Sequence, residues 1–278
     1  MRMKSNECAN DEPRVRGQRG FSLTELIVVL GVVLVILSLV LPALRAAKQR
    51  GSATACLASM HQNSVCVSLY AHQSRDSWPY PLKSGFVDPY TGQRLRLSSP
   101  YVPYSYAWVG DYWHAPMLQE YFGGDPFNKS LYCPSHDLRE RRMREPGAQS
   151  RAWGTGISLS MAMYLAPEAL DPVTPRWRPE FFRVTRVSDV VTPGQKAMLY
   201  EGAPSHDPHA RNVRGPIVSA PPWALNVIAC DGSGALRNHR DSAEGVVFPN
   251  LDNLSRKRFD GMTETFSFTP NGVRGRDW

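Results

Sequence analysis

The side chains of this 278-residue chain with the widest chemical reach are five cysteines and a scatter of acidic and histidine residues. Cys133-Pro134-Ser135-His136 has the Cys-x-x-His spacing that can supply half of a tetrahedral zinc site, a thiolate and an imidazole one turn apart. No second Cys/His pair at close spacing completes it, so the motif by itself predicts no metal. Asp207, Asp231, Asp241 and Glu244 fall in turn-like sequence. Calcium needs several oxygen ligands at once, and no loop has EF-hand spacing. Asp231 is therefore a calcium candidate set against the plainer reading of a solvated turn acid. His206, His209 and His239 read as loop histidines. There is no G-x-S-x-G, no Ser or Cys with a His/Asp framework, no P-loop, and no G-x-G-x-x-G after a strand. Neither an enzyme nor a resident cofactor is expected.

Cys8 precedes a sharp change of composition, and Cys56, Cys66, Cys133 and Cys230 follow it. Four cysteines in an oxidising compartment allow two disulfides in three connectivities, and sequence does not choose between these and buried thiols. Cys133 with Cys230 and Cys56 with Cys66 are the pairs to consider. Should 56–66 be helical, ten residues of rise put about 15 Å between that second pair, too far to bridge.

The elements that must carry these residues begin with the N-terminus. Residues 1–20 are polar, with Arg2, Lys4, Arg14, Arg16 and Arg19 against Glu7, Asp11 and Glu12. From Phe21 to Leu44 the chain reads FSLTELIVVLGVVLVILSLVLPAL, with Glu25 its one charge. As a helix this run spans about 36 Å, enough for a bilayer core of about 30 Å. The basic residues before it predict a cytoplasmic N-terminus and export of everything after Leu44. A carboxylate inside a membrane helix costs a few kcal/mol, so Glu25 is either snorkelling to the headgroups or functional. An ordinary secretory signal fits less well. Its apolar region is typically about 7–15 residues with a small-x-small cleavage site, and Ala43, Ala46 and Ala47 are a poor version of one.

Gly20-Phe21-Ser22-Leu23-Thr24-Glu25-Leu26 resembles the processing signal of type IV pilins and type II secretion pseudopilins. The resemblance implies cleavage after Gly20 by a prepilin peptidase and N-methylation of Phe21. Glu25 then stands fifth in the mature chain, where the family pairs it with the α-amine of a neighbouring subunit. Pro42 falls at the family's helix-bending proline. The partners implied are other pilin-like subunits, an inner-membrane assembly platform and membrane lipid.

No proline interrupts residues 43–75, and Ala43, Ala46, Ala47, Leu57, Met60, Val65, Leu69 and Tyr70 suit one apolar stripe. One helix is predicted from 21 to about 74. Four regions are expected: a leader over 1–20, a transmembrane and assembly helix over 21–44, an exported helical half over 45–78, and a β-rich head over 79–278. Segments 104–109, 157–164 and 196–200 read as strands, and 79–103 and 166–180 as Pro-rich loops. Asn226–Ala229 reads as a strand turning at Asp231-Gly232 into Ala235-Leu236-Arg237. The fold class is α+β, a long N-terminal helix packed on an antiparallel sheet.

The stretch from Cys56 to Ala71 is similar to the C-x-x-N-L-x-Q … Y-A helix of a large class of pseudopilin-like proteins, with Ser59 and Met60 in place of Asn-Leu. Leu131 to Asp137 resembles its F-x-C-P-S-D segment, Thr185 to Glu201 its strand ending in glutamate, and Leu225 to Gly232 its N-V-L-F-A-D-G-H strand and turn. Ser233 and Pro221 stand where that class often has histidines.

The net charge of +7 is spread out rather than gathered into the stripe of a nucleic-acid footprint. It suits a protein beside anionic headgroups equally well. Three readings stand in order: a structural subunit of a fibre, an anchored module displaying an aromatic-rich head to a ligand, and an anchored enzyme, which a pocket joining His239, Asp231 and Cys133 would revive. Aromatics exposed on one face would favour the second, and aromatics buried in the core the first.

Overall fold

A computed structural model describes residues 22–80, 87, 113–134, 138–144, 155–174, 181, 183–201, 224–238, 241–242 and 270–278. The chain divides into two compact units, residues 1–47 and 48–278. The leader and the expected strand at 104–109 lie outside the described residues.

Helix α1 runs from Leu23 to Gln73, matching the expected span. Its start is set by a reciprocal cap. The Ser22 hydroxyl accepts the Glu25 amide (3.2 Å), and the Glu25 carboxylate accepts the Ser22 amide (2.8 Å) and hydroxyl (2.9 Å). Pro42 lies inside the helix, which continues through it although a proline gives the Ser38 carbonyl no amide. Every side chain from Leu23 to Leu44 is exposed, and the helix is long and apolar enough to cross a membrane.

Within the second unit the helix buries Cys56, Ser59, Met60, Asn63, Ser64, Val67 and Ala71, a stripe at three- and four-residue spacing. This corrects the expected stripe. Met60 belongs to it and Leu57 and Tyr70 are half-buried, but Val65 and Leu69 are 47% and 50% exposed. The cause is polar. The Ser59 hydroxyl and Asn63 amide both donate to the Ser130 carbonyl, at 2.8 and 2.9 Å, and turn their own face inward. A pattern read from apolar residues alone takes in Val65 and Leu69 and passes over Ser59 and Asn63.

The helix ends where Asp76 N–H returns to the Ala71 carbonyl (2.8 Å), with Arg75 and Asp76 both in the left-handed region at φ 56° and 67°. Asp76 then holds the next layer. Its carbonyl accepts Val187 N–H (2.9 Å) and its carboxylate accepts Ser188 N–H (3.1 Å).

The head carries one four-stranded antiparallel sheet in sequential order: β1 Ile157–Leu159, β2 Ala197–Glu201, β3 Ala224–Ala229 and β4 Gly234–Asn238. The expected hairpin is present, with Gly232 at φ 85° where a side chain would be strained. The expected strand at 157–164 is shorter, because Met161–Tyr164 turns into a 3-10 segment. Pro167–Leu170, read as loop, is a 3-10 turn as well. A bulge between Ala197 and Leu199 puts Ala197 and Tyr200 on one face with Leu225 and Val227, covered by Trp278. It leaves Leu199 and Glu201 aimed with Asn226 and Ile228 at the opposite face. That face meets α1: a Cβ on Gly234 would lie 3.1 Å from Leu57 and 2.8 Å from Ile228.

The main core gathers Met60, Val67, Trp78, Trp113, Leu131, Tyr132, Tyr164 and Leu199. Two of its buried polar ends are held: Trp113 Nε1 donates to the Ile157 carbonyl (3.0 Å) and the Tyr164 hydroxyl to the Pro79 carbonyl (2.8 Å). Near the C-terminus Lys196 and Asp277 form a fully buried ion pair at 3.3 Å, and Asp277 also accepts Ala197 N–H at 2.6 Å. Burial lowers the Lys196 pKa, and the Asp277 carboxylate opposes that.

Candidate functional site

Three buried side chains from distant segments meet on the helix-facing side of the sheet: Cys56, Cys133 and Glu201. Each is placed by bonds that do not involve the others. Cys56 sits on the inward stripe of α1, one turn after Ala53, whose carbonyl accepts from the Asn226 side chain (3.2 Å). Cys133 follows a 3-10 turn, Lys129–Leu131, capped by Asn128; the Ser130 carbonyl of that turn is the one held by Ser59 and Asn63. Glu201 ends β2 beside Asn226 of β3, whose backbone N–H donates to Glu201 Oε2 (3.0 Å).

The remaining carboxylate oxygen, Oε1, accepts the Cys56 thiol at 2.9 Å. The two Sγ atoms and a carboxylate oxygen lie within 4.8 Å of one another. The Cys56 pKa is raised first by its hydrogen bond with Cys133, then by burial and by the Glu201 charge, so its thiol keeps the proton. Two thiols and a carboxylate at this separation could hold a cation that prefers sulfur. Among the described residues this is the one cluster of three or more His, Cys, Asp or Glu ligand atoms.

Cys56, Cys66, Cys133 and Cys230 are thiols, and the fold brings Cys133 beside Cys56. Cys56 and Cys66 stand on one continuous helix, which keeps them apart. Burial pushes the Cys230 thiol up to about 12, and its amide donates to the Lys196 carbonyl (2.9 Å). Cys66 is half-buried and also raised by burial. Asp231 sits exposed at the tip of the β3–β4 hairpin, where Oδ1 accepts the Ser233 amide (2.8 Å) and hydroxyl (2.6 Å). Those bonds lower its pKa and account for it as a turn residue.

Glu25 and Pro42 both lie on the exposed first half of α1. Gly20 and Phe21 lie outside the described residues, as do His136, His206, Asp207, His209, His239 and Glu244. Glu201 was legible in sequence only as the end of a strand. Its signal was a lone acid closing an apolar run, Ala197-Met198-Leu199-Tyr200, which a solvent-facing strand end explains as readily as a buried ligand does.

Comparisons with protein-family models, with curated proteins and with solved structures find no match to this chain.

Proposed function

We propose that this chain is a prepilin-like structural subunit. A prepilin peptidase cuts between Gly20 and Phe21 and methylates the new amine. Residues 21–44 anchor the mature chain in a bacterial inner membrane, with the N-terminus cytoplasmic and the head exported. Subunits then associate through the first half of α1 into a pseudopilus or pilus-like fibre of the type II secretion kind, on an inner-membrane platform.

The observation that carries this reading is the contrast along α1. From Leu26 to Leu37 an unbroken apolar surface is exposed all round, while from Cys56 onward one stripe is buried in the head. An all-round apolar helix needs lipid or other helices as its solvent. Glu25 caps the helix start, so a carboxylate stands where the α-amine of a neighbouring Phe21 could neutralise it in low dielectric. The aromatics among the described residues support the plain subunit over a ligand-displaying module: Trp78, Tyr80, Trp113, Phe122, Tyr132 and Tyr164 are buried, and none is among the large exposed apolar side chains. No catalytic role is proposed.

The test is mass spectrometry of the N-terminus of protein taken from native membranes. An N-methylated Phe21 supports the reading. A start near residues 44–48 means a secreted protein and overturns it, and an intact Met1 leaves a simple signal anchor. Glu25→Ala is expected to be processed normally and to fail to enter fibres.

A further inference from the structure

We propose that Cys56, Cys133 and Glu201 form a binding site for a thiophilic divalent cation, zinc by the chemistry of the set, which ties helix α1 to the sheet. This inference is independent of the assembly reading. The donors come from three segments: a helix, the chain two residues past a 3-10 turn, and a strand end.

The donor types select the ion. Calcium and magnesium take oxygen ligands and leave thiols aside. Two thiolates and one carboxylate suit zinc, with bonds of about 2.3 Å to sulfur and about 2.0–2.2 Å to oxygen. A tetrahedral site with such bonds has sulfur–sulfur and sulfur–oxygen edges of about 3.5–3.8 Å. The Cys56 Sγ–Glu201 Oε1 contact is shorter than that, at 2.9 Å, and all three donor atoms lie within 4.8 Å of one another. Shifts of a few tenths of an ångström to about one ångström, within side-chain reach, would seat the ion.

The surroundings hold the ligands in place. Asn226 N–H occupies Glu201 Oε2 and leaves Oε1 turned to the thiols. The Asn226 side chain fixes the turn of α1 before Cys56, and Ser59 with Asn63 fixes the chain three residues before Cys133. Hydrogen bonds that orient ligands from behind in this way are the usual support of a metal site.

The step balances simply. The cation takes the place of the proton that Cys56 donates in its hydrogen bond to Glu201 and of the Cys133 proton: two S–H bonds break, two metal–sulfur bonds and one metal–oxygen bond to Glu201 form, a water fills the fourth tetrahedral position, and two protons leave. No electrons move. The ion's +2 replaces the two lost protons, so the buried net charge is the same with the ion as without it.

The experiment uses the full chain, purified in detergent without chelator or reductant. Zinc content by plasma mass spectrometry is expected at about one ion per chain. Cys56→Ser, Cys133→Ser and Glu201→Gln are each expected to lower zinc affinity by more than the roughly 10–100-fold that losing an outer hydrogen-bonding partner costs. Cys66→Ser is expected to leave it unchanged. Cobalt in place of zinc is expected to give sulfur-to-cobalt charge-transfer bands that vanish in Cys133→Ser. Since a ligand variant can misfold, the wild-type chain is also melted with and without added zinc, and a rise in Tm is expected. A Cys56–Cys133 disulfide found by non-reducing peptide mapping overturns the proposal. So does full zinc content in Cys133→Ser, or a reduced wild-type chain that neither binds zinc nor gains Tm from it.

Discussion

The Cys56 thiol donates to Glu201 at 2.9 Å across 145 positions of sequence, and that bond joins the helix to the second strand of the sheet. The same carboxylate accepts Asn226 N–H from the third strand. One side chain therefore links three elements.

Replacing Glu201 should show this in the metal-free protein. Glu201→Ala leaves the buried Asn226 N–H without this acceptor and opens a cavity, and is expected to cost about 2–4 kcal/mol. Glu201→Gln keeps an acceptor and the volume and is expected to cost about half as much. Urea unfolding of the full chain in detergent with chelator checks both; equal losses would mean that the acceptor is immaterial.

The Lys196–Asp277 pair makes a second demand. Lys196→Met strands the Asp277 carboxylate in the core and is expected to cost about 3–5 kcal/mol. Adding Asp277→Asn removes the stranded charge while keeping an acceptor for Ala197 N–H, so the double variant is expected to recover part of that loss. A double variant less stable than Lys196→Met would refute the pairing argument.

His114 is wholly buried, and burial holds its pKa down at about 3. The unfolded chain takes up this proton near pH 6.5 while the folded chain does not, so the stability tied to His114 is complete above about pH 6.5. It is lost as pH falls from about 6.5 towards about 3, with a limiting slope of about 1.4 kcal/mol per pH unit. Comparing unfolding at pH 7 and pH 5 in wild type and His114→Leu isolates it: the variant should show the shallower decline.

Arg75 and Asp76 share a left-handed backbone but not a role. No side-chain bond is seen for Arg75 among the described residues, so Arg75→Gly is expected to raise stability by about 1 kcal/mol by relieving strain. Asp76→Gly relieves similar strain but loses the carboxylate bond to Ser188 N–H, and is expected to gain nothing. Paired thermal melts distinguish the two.

The sequence by itself determined the long helix, its apolar first half and the turn at Asp231-Gly232. Each follows from neighbours in the chain: a long apolar run, a stretch without proline from 43 to 75 and an Asp-Gly pair between strand-like segments. Tertiary structure alone decided which face of α1 turns inward, because Ser59 and Asn63 bond to a carbonyl that lies 71 and 67 positions away. It also decided that Cys133 meets Cys56 and that Glu201 faces the core rather than solvent. A strand's period of two names the residues that share a face but does not say which face is covered. The bulge at Ala197–Leu199 and the docking of α1 settled that, and with it the place where two thiols and a carboxylate come together.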